Sequence, residues 1–136
     1  MKLLLYCDGA SRGNPGPSGA GASLQDDQGT EVAAVYRFLG RVSNNEAEYT
    51  GAIIGLEKAL ALGARHVVLH ADSQLIVRQL TGEYRVRAAH LRPLHQRAVE
   101  LLSKFERWDA EHVPREQNAR ADALAHQAID RADHRG

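Results

Sequence analysis

Residues 43–73 read SNNEAEYTGAIIGLEKALALGARHVVLHADS and contain the two elements that decide the fold. Ser43 and Glu46 have the spacing of a capping box, which predicts that a helix begins here. Apolar residues then recur at helical spacing as far as Gly63, where we expect the helix to end. The next apolar run, His66 to Ala71, predicts a buried strand. A strand placed after a helix in this way indicates parallel pairing with an earlier strand.

The flanking sequence supplies the remaining elements. Leu3 to Cys7 predicts a buried strand that ends at Asp8, and residues 9–17 are rich in Gly and Pro, which predicts a loop. Elsewhere we expect strands near 18–26, 30–39 and 107–113 and helices near 73–80, 90–105 and 118–129. This order predicts an α/β fold, a five-stranded mixed sheet with an antiparallel meander, parallel strands and helices on both faces.

Length and composition restrict the class of protein. The chain of 136 residues fits a single domain, residues 1–136, with a polar tail from about Asp130 that we expect to fray. One cysteine, Cys7, permits no internal disulfide and fits a reducing compartment, so a cytoplasmic location is expected. No apolar run is long enough to cross a membrane. The formal net charge of +0 argues against a protein that holds nucleic acid by charge alone.

Four carboxylates stand at positions that suggest chemistry. Asp8 and Asp72 follow predicted strands, and the carboxyl ends of adjacent parallel strands are where open sheets place their sites. Glu48 shares a helix face with apolar residues, where a carboxylate is costly unless it is paired or bound to a metal. Asp122 is a lone acid among apolar residues of the last predicted helix. Together they are candidates for one acidic site.

Each carboxylate also has an ordinary structural alternative. Asp8 suits a turn before a glycine, and Asp72 suits a helix N-cap, although Ser73 could cap instead. Glu48 could simply favour the positive end of the helix dipole, and Asp122 could be exposed. These alternatives stay open at the level of the individual residue.

A cluster of carboxylates has a specific chemical consequence. Several carboxylates in one place cannot all stay ionised without cations, and oxygen ligands suit hard ions, with Mg²⁺ first and Mn²⁺ second. Two such ions about 4 Å apart can activate water and stabilise the leaving oxygen of a phosphodiester. The sequence shows no serine or cysteine triad and no thiolate zinc spacing. The cluster therefore favours a metal-dependent nuclease.

Four motifs resemble those of the type 1 ribonuclease H family, in that family's order. They are Tyr6-Cys7-Asp8-Gly9-Ala10-Ser11-Arg12-Gly13-Asn14-Pro15-Gly16-Pro17, Ser43-Asn44-Asn45-Glu46-Ala47-Glu48, Asp72-Ser73-Gln74 and Asn118-Ala119-Arg120-Ala121-Asp122-Ala123-Leu124-Ala125. The resemblance extends from about Lys2 to Ile129. It implies the ribonuclease H-like fold, with the metal-binding quartet on Asp8, Glu48, Asp72 and Asp122.

The resemblance also implies a reaction and a substrate. It implies two Mg²⁺ ions and hydrolysis of the RNA strand of an RNA–DNA hybrid, leaving a 5′-phosphate and a 3′-hydroxyl. Small polar groups would read the minor groove of the hybrid, where the 2′-hydroxyl distinguishes RNA from DNA. Carried over, these substrate-binding residues are Ser11, Asn14, Asn44, Asn45 and Gln74, and Asn14 and Ser43 would help to hold a phosphate of the DNA strand. Asn44 and Asn45 also suit helix capping, and Asn14 a plain turn.

The chain departs from the family pattern in two places. Many members have a loop histidine before the last helix, and here the candidates for that auxiliary catalytic role are His112 and Arg115. We favour Arg115, acting electrostatically, because Pro114 stiffens the segment and His112 is expected to end a strand. An ordinary surface ion pair of Arg115 with Glu116 or Glu111 is the alternative.

The basic protrusion of some members is absent, and the region from Arg78 to Arg97 keeps five arginines and one glutamate, so we expect weaker substrate binding.

Other functions remain compatible with the fold. A non-catalytic hybrid-binding module would be favoured if one carboxylate were missing, and none is. A nuclease of the same superfamily could act on another nucleic acid, and a nuclease domain of a longer protein is also possible. The Met1 start argues mildly for a stand-alone protein, expected to be a monomer with no protein partner evident.

Overall fold

The computed structural model describes residues 1–135, with side chains as far as Ala132. Within this range the chain forms five strands and four α-helices, in the order that the sequence predicts. The strands are β1 (Lys2–Ser11), β2 (Gly16–Gln25), β3 (Glu31–Val42), β4 (His66–Ala71) and β5 (Arg107–His112). The helices are α1 (Asn44–Ala61), α2 (Gln74–Leu80), α3 (Arg92–Leu102) and α4 (Ala119–Arg135), with short 3₁₀ turns at Ala89–Leu91 and Arg115–Asn118.

The strands form one mixed sheet with β1 at its centre. Its order is β3-β2-β1-β4-β5. β1 pairs antiparallel with β2, and β2 antiparallel with β3, whereas β1–β4 and β4–β5 are parallel. This confirms the predicted meander followed by parallel strands. The parallel register places Tyr6 beside His70, so the residues that follow β4 lie next to the second half of β1.

Helices cover both faces of the sheet, as predicted. On one face α1 packs over Leu5 and Ala22, and on the other α4 lies against Gly19 and Gly21 of β2. The main core fills the α1 face, and its fully buried members include Leu3, Leu5, Leu24, Tyr49, Leu56, Leu69, Leu101 and Leu102. A smaller cluster of Ala10, Ala125 and Ile129 fixes α4 to the opposite face. The predicted sheet with helices on both faces is therefore the fold of this chain.

Two predicted boundaries near the start of the chain are wrong. β1 does not end at Asp8 but continues to Ser11, because Gly9 and Ser11 pair with residues of β2 across an unbroken antiparallel ladder. The segment expected to be a loop over 9–17 therefore shrinks to residues 12–15. Glycine and proline lower strand propensity, but pairing with a neighbouring strand overrides that preference here.

The later boundaries differ in three places. α3 begins at Arg92 after a 3₁₀ turn, with Pro93 in its first turn, and it ends at Leu102, short of the predicted end at residue 105. α4 continues to Arg135, so the segment expected to fray is helical as far as that residue, and Gly136 lies outside the described residues. β3 extends to Val42. By contrast, β4 has the predicted bounds, and α1 begins with the predicted capping box, in which the Ser43 hydroxyl accepts from Glu46 N–H.

α1 lies unusually close to β1. A Cβ on Gly51 would lie inside van der Waals contact with the backbone oxygen of Asp8, and a Cβ on Gly9 would overlap the backbone of Ala47. Neither backbone can move aside without breaking its own hydrogen-bond ladder. The absence of side chains at these two glycines is therefore what lets the first turns of α1 approach the middle of β1.

This close packing gives a stability prediction. Gly51→Ala should lower the free energy of unfolding by about 2–4 kcal/mol, because overpacking against rigid backbone exceeds the gain in helix propensity. Gly55→Ala, one turn later, is the matched control, since its Cβ would meet side-chain atoms of Leu5 and Ala22 rather than strand backbone. Urea denaturation of both variants measures the difference. Equal stability of the two variants would contradict the packing argument.

Candidate active site

The sheet register brings the first two carboxylates together. Asp8 and Asp72 each lie two residues beyond the paired residues Tyr6 and His70, so they stand side by side on adjacent parallel strands. Asp8 is only 7% exposed and its Oδ1 accepts from the N–H of Gly9 at 2.9 Å. Asp8 lies within β1 rather than in a turn, which removes the structural alternative considered for it.

Asp72 is not the cap of the following helix. The Ser73 hydroxyl caps α2 by accepting from Ile76 N–H at 3.3 Å. The Asp72 side chain, 14% exposed, is left to face the acidic site. The same Ser73 hydroxyl acts on Glu48 through a side-chain hydrogen bond that lowers the carboxyl pKa. Because Ser73 caps α2, the Asp72 carboxylate is available to the acidic site.

Glu48 completes a group of three. It stands one turn into α1, where the contact of Gly51 with the Asp8 backbone holds the helix against β1. Asp8, Glu48 and Asp72 each offer one carboxylate oxygen, and these oxygens all lie within 4.8 Å of one another. Three elements that are distant in sequence therefore place their carboxylates at one point.

Asp122 reaches the group from α4. A Cβ on Gly21 of β2 would lie 2.6 Å from the backbone oxygen of Ala121, so this helix also lies directly against strand backbone. The Asn118 amide, 1% exposed, donates from Nδ2 to the carbonyl of Cys7 at 2.9 Å and fastens the start of α4 to β1. Asp122, in the first turn, lies close enough to Asp8 for its negative charge to raise the pKa of the Asp8 carboxyl. Both residues line the same cleft.

The carboxylates raise one another's proton affinity. Burial, together with the negative charge of Asp72 and of Asp122, raises the pKa of Asp8 to about 8, against a lowering by the Gly9 N–H. Burial and Asp72 raise the pKa of Glu48 to about 7, against lowering by the Ser73 hydroxyl and the Arg115 guanidinium. Without cations, the site therefore holds protons near neutral pH.

The donor set fits a divalent metal. Carboxylate oxygens are the ligands that hard cations such as Mg²⁺ prefer, and a bound cation would relieve the mutual repulsion of these groups. Asp8, Glu48 and Asp72 are the residues that would hold it, with Asp122 beside Asp8. The four carboxylates line a cleft of about 350 Å³, whose other lining residues are Gly9, Ala10, Ser11, Asn44, Arg115 and His126.

The two candidates for an auxiliary role lie in different places. Arg115 lines the cleft, its side chain is 89% exposed, and its Nε is 3.9 Å from Asp72 Oδ2. His112 ends β5, and its Nε2 lies 3.3 Å from the backbone oxygen of Asp72, on an exposed surface. Arg115 therefore has its charge at the carboxylates, whereas the His112 ring faces the main chain.

Two of the predicted substrate-binding residues line the cleft directly. Ser11 donates its hydroxyl to the carbonyls of Gly13 and Val42, and Asn44 is exposed at the start of α1. Asn14 lies in the loop between β1 and β2, which contains the cis Asn14-Pro15 peptide bond. Its Oδ1 accepts from the backbone N–H of Asn44 at 3.2 Å. Asn14 thereby links the β1–β2 loop to the start of α1.

The other predicted substrate-binding residues lie around the rim. Ser43 caps α1, Asn45 follows it on the helix and is half-buried, and Gln74 is exposed at the start of α2. With its amide oriented to pair donor with acceptor, Gln74 accepts from Arg78 Nη2 at 2.8 Å. Ser43 and Asn45 flank Asn44 of the cleft, and Gln74 follows Asp72 by two residues; the roles of these residues in binding remain predictions.

The five arginines in the region from Arg78 to Arg97 differ in their contacts. Arg78 lies over the Tyr84 ring, and Arg97 pairs with Glu57 at 3.2 Å and with Glu100 at 3.0 Å. Arg85 and Arg87 are exposed and line a second cleft with Tyr84. Arg92 donates to the backbone carbonyls of Val86 and Arg87. On the segment between α2 and α3, Arg85 and Arg87 are therefore the arginines that present their charge to solvent.

One residue of the cleft was not predicted. His126 lies one turn after Asp122 on α4, and its Nε2 is 3.7 Å from Asp122 Oδ1. The signal was present in the sequence, because residues four apart on a helix share a face. His126 is neither a carboxylate nor part of the four motifs, so these features of the sequence did not mark it as a site residue.

Known proteins resemble this chain in sequence and in fold. A family model described as Reverse transcriptase-like matches residues 6–128. A ribonuclease H of Coxiella burnetii is 34% identical to this chain, over 98% of the chain and 94% of the relative. The chain belongs to the ribonuclease H family.

Two further relatives of this ribonuclease H domain are a Ribonuclease HI of Halobacterium salinarum, 47% identical over 96% of the chain, and a bifunctional protein of Mycobacterium tuberculosis, 44% identical over 97%. The chain spans 66% and 36% of the lengths of these two relatives.

Solved structures of type 1 ribonucleases H superpose closely on the ribonuclease H domain. The RNase H1 of Halobacterium salinarum has a TM-score of 0.93 and 45% identity, covering 96% of this chain and 98% of that one. The N-terminal RNase H domain of a Mycobacterium tuberculosis protein has a TM-score of 0.94 and 41% identity, covering 98% and 97%. LC11-RNase H1, solved in complex with an RNA/DNA hybrid, has a TM-score of 0.90 and 36% identity, covering 96% and 98%.

The raised pKa values give a stability prediction for the cation-free protein. A carboxyl whose pKa is raised from 3.8 to about 8 on folding stabilises the protein fully only below its unfolded pKa, and this contribution is lost as pH rises towards 8. Asp8→Asn removes the charge, so in chelator at about pH 8 it should raise the melting temperature by about 5 °C. Towards about pH 4 the difference from the unsubstituted protein should vanish, because Asp8 is then protonated.

Thermal melts across this pH range test the prediction. Adding Mg²⁺ at about pH 8 should stabilise the unsubstituted protein more than the Asp8→Asn variant, because only the former keeps the full ligand set. If Asp8→Asn melts at a lower temperature than the unsubstituted protein in chelator at that pH, the Asp8 charge does not destabilise the folded protein.

Proposed function

We propose that this chain is an endonuclease that hydrolyses the RNA strand of RNA–DNA hybrids, leaving 5′-phosphate and 3′-hydroxyl ends. The observation that supports it most is the convergence of Asp8, Glu48 and Asp72 oxygens within 4.8 Å, with Asp122 near enough to raise the pKa of Asp8 by its charge. The hybrid bound to the related LC11-RNase H1 supports the substrate. The cofactor is Mg²⁺, two ions in the presence of substrate, with Mn²⁺ as a possible substitute.

The four carboxylates would hold the metal ions from different elements of the fold. When bound, paired magnesium ions supply an activated water and stabilisation of the leaving oxygen. Asp8 on the central strand, the most buried of the four, would hold the ions together with Glu48 of α1 and Asp72 at the end of β4. Asp122 of α4 would add a fourth carboxylate beside Asp8. The rigid strand and helix ends that carry these side chains fix the cluster before substrate arrives.

Recognition of the RNA strand rests on the polar rim. Ser11 and Asn44 line the cleft beside the carboxylates, and Asn14 is bonded to the Asn44 backbone. Asn45 follows Asn44 on α1, and Gln74 begins α2 two residues after Asp72. Hydroxyl and amide groups can both donate to and accept from a 2′-hydroxyl, which only the RNA strand has. Ser43, at the N-terminus of α1, joins Asn14 in holding a phosphate of the DNA strand.

Arg115 acts as the auxiliary residue by its charge. Its guanidinium lies 3.9 Å from Asp72 and lowers the pKa of Glu48, so it favours the ionised form of the cluster. Arginine cannot accept a proton near neutral pH, so a role as general base is excluded for it. His112 is the second candidate, and its contact with the Asp72 carbonyl favours a part in shaping that turn.

The setting of the enzyme is part of the proposal. We infer one catalytic domain over residues 1–136 that acts as a monomer in the cytoplasm, and the single, buried Cys7 supports that compartment. Among the described residues, no helix combines the length and apolar character that crossing a membrane requires. Arg85 and Arg87 offer a reduced basic surface for the hybrid, which supports weaker binding than in relatives with a basic protrusion.

A substrate panel tests the proposed function. Purified protein with Mg²⁺ should cut the RNA strand of a labelled hybrid and leave duplex RNA, single-stranded RNA and duplex DNA intact. Asp72→Asn should reduce cleavage by about 1,000-fold or more, since it removes a metal ligand at the reacting centre. Its circular dichroism and melting profile control for folding.

Two results would reject the assignment. Tight binding of the hybrid without cleavage, in either Mg²⁺ or Mn²⁺, would make the chain a binding module. Preferential cleavage of a DNA substrate would make it a nuclease of the same superfamily with another substrate.

The auxiliary role is tested by paired substitutions. Arg115→Ala should lower kcat on the order of 100-fold through loss of a charge at the reacting centre, and Arg115→Lys should restore part of that loss. His112→Ala should lower kcat much less, because its ring faces the main chain. Steady-state kinetics on the hybrid compare the three variants. A larger loss in His112→Ala than in Arg115→Ala would assign the role to the histidine instead.

A further inference from the structure

His126 is held between a ligand carboxylate and a guanidinium. Its Nε2 lies 3.7 Å from Asp122 Oδ1, and its Nδ1 lies 3.2 Å from Arg12 Nη2. Arg12 Nη2 is also 2.8 Å from Asp130 Oδ1, two turns along α4 from Asp122. The histidine ring therefore connects the cleft to an ion pair further along the same face of α4.

The contact with Arg12 determines which ring nitrogen carries the proton. A guanidinium only donates hydrogen bonds, so the nitrogen that faces it must accept. In a neutral imidazole one nitrogen accepts and the other carries the hydrogen. With Nδ1 accepting from Arg12, the hydrogen lies on Nε2, the nitrogen that faces Asp122.

Asp122 has the greatest need of such a partner. Its side chain is 49% exposed, whereas that of Asp72 is 14% exposed, and Asp8 is buried. An exposed carboxylate in the first turn of a helix has several accessible rotamers, only some of which point to the cluster. A donor one turn further along restricts that choice, in the way that outer groups orient the ligands of metal sites.

We propose that His126 is a positioning residue that directs Asp122 towards the other carboxylates through its Nε2–H, and that Arg12 selects the tautomer that makes this possible. The 3.7 Å separation is longer than a hydrogen bond, so the contact in this structure is electrostatic. His126 acts through Asp122 and needs no contact with the substrate. The inference rests on the proposed function only in taking Asp122 as a cation ligand.

Two substitutions separate the donor from the bulk of the ring. His126→Leu keeps an apolar side chain of similar reach and removes both nitrogens. His126→Gln restores an N–H donor at about the distance of Nε2. Gln127→Ala, the next residue on α4, is the matched control, since it lies outside the contacts between Asp122, His126 and Arg12. Circular dichroism and thermal melts establish that each variant is folded.

The first readout is cation binding without substrate, measured by isothermal titration calorimetry with Mg²⁺. His126→Leu should weaken binding by about 10-fold, His126→Gln should recover most of the affinity, and Gln127→Ala should bind as the unsubstituted protein does. In hybrid cleavage, kcat at limiting Mg²⁺ should fall in His126→Leu while KM for the hybrid is unchanged. Equal affinity in the leucine variant, or no recovery in the glutamine variant, would overturn the proposal.

The second readout is the tautomer itself, from ¹⁵N–¹H NMR spectra of the His126 ring in alkaline buffer, where imidazoles are neutral. The expected result is hydrogen on Nε2, with loss of this preference in Arg12→Ala. Hydrogen on Nδ1 in the unsubstituted protein would overturn the proposal. Because neither readout requires cleavage, a protein that fails to cut any hybrid but shows both effects would reject the proposed function and leave this inference standing.

Discussion

Direct contact between helix and strand backbones is the constraint on which the site depends. α1 lies on β1 where Gly9 and Gly51 leave no side chain between them, and α4 lies on β2 at Gly19 and Gly21 in the same way. These contacts shorten the distance between elements that each carry one carboxylate. With ordinary side chains at the glycines, the helices would lie farther out and Glu48 and Asp122 would not reach Asp8. Close packing at these glycines thus determines how near the carboxylates lie to one another.

The site concentrates like charges that the fold alone does not require. Burial and proximity raise the pKa of Asp8 and Glu48, so the cation-free protein keeps protons there that a single exposed carboxyl would lose. The positive groups near the cluster, Arg115 beside Asp72 and the Gly9 N–H at Asp8, offset only part of this repulsion. A bound divalent cation would offset the remainder, so a site of this kind lowers the stability of the cation-free protein and favours metal binding.

Sequence reasoning succeeded where a local pattern and the tertiary structure agree. The run from His66 to Ala71 is apolar and bounded by polar residues, and it forms a strand with those bounds; Ser43 and Glu46 form the predicted capping box. It failed where distant contacts decide. The glycine-rich segment after Asp8 is a strand because β2 pairs with it, whereas His126 could have been identified from its spacing of four residues from Asp122. The four carboxylates could be selected from their positions, but whether Asp72 or Ser73 caps α2 required the structure.

The most direct test of the account is a crystal structure of Asp122→Asn bound to Mg²⁺ and an RNA–DNA hybrid. This substitution keeps the shape of the side chain and leaves Asp8, Glu48 and Asp72 intact, so substrate can bind while cleavage is slowed. We expect magnesium among those three carboxylates, with a phosphate of the RNA strand at the metals and its neighbouring 2′-hydroxyls against Ser11 and Asn44. The DNA strand at the carboxylates, or a hybrid bound elsewhere with no cation in the cluster, would contradict it.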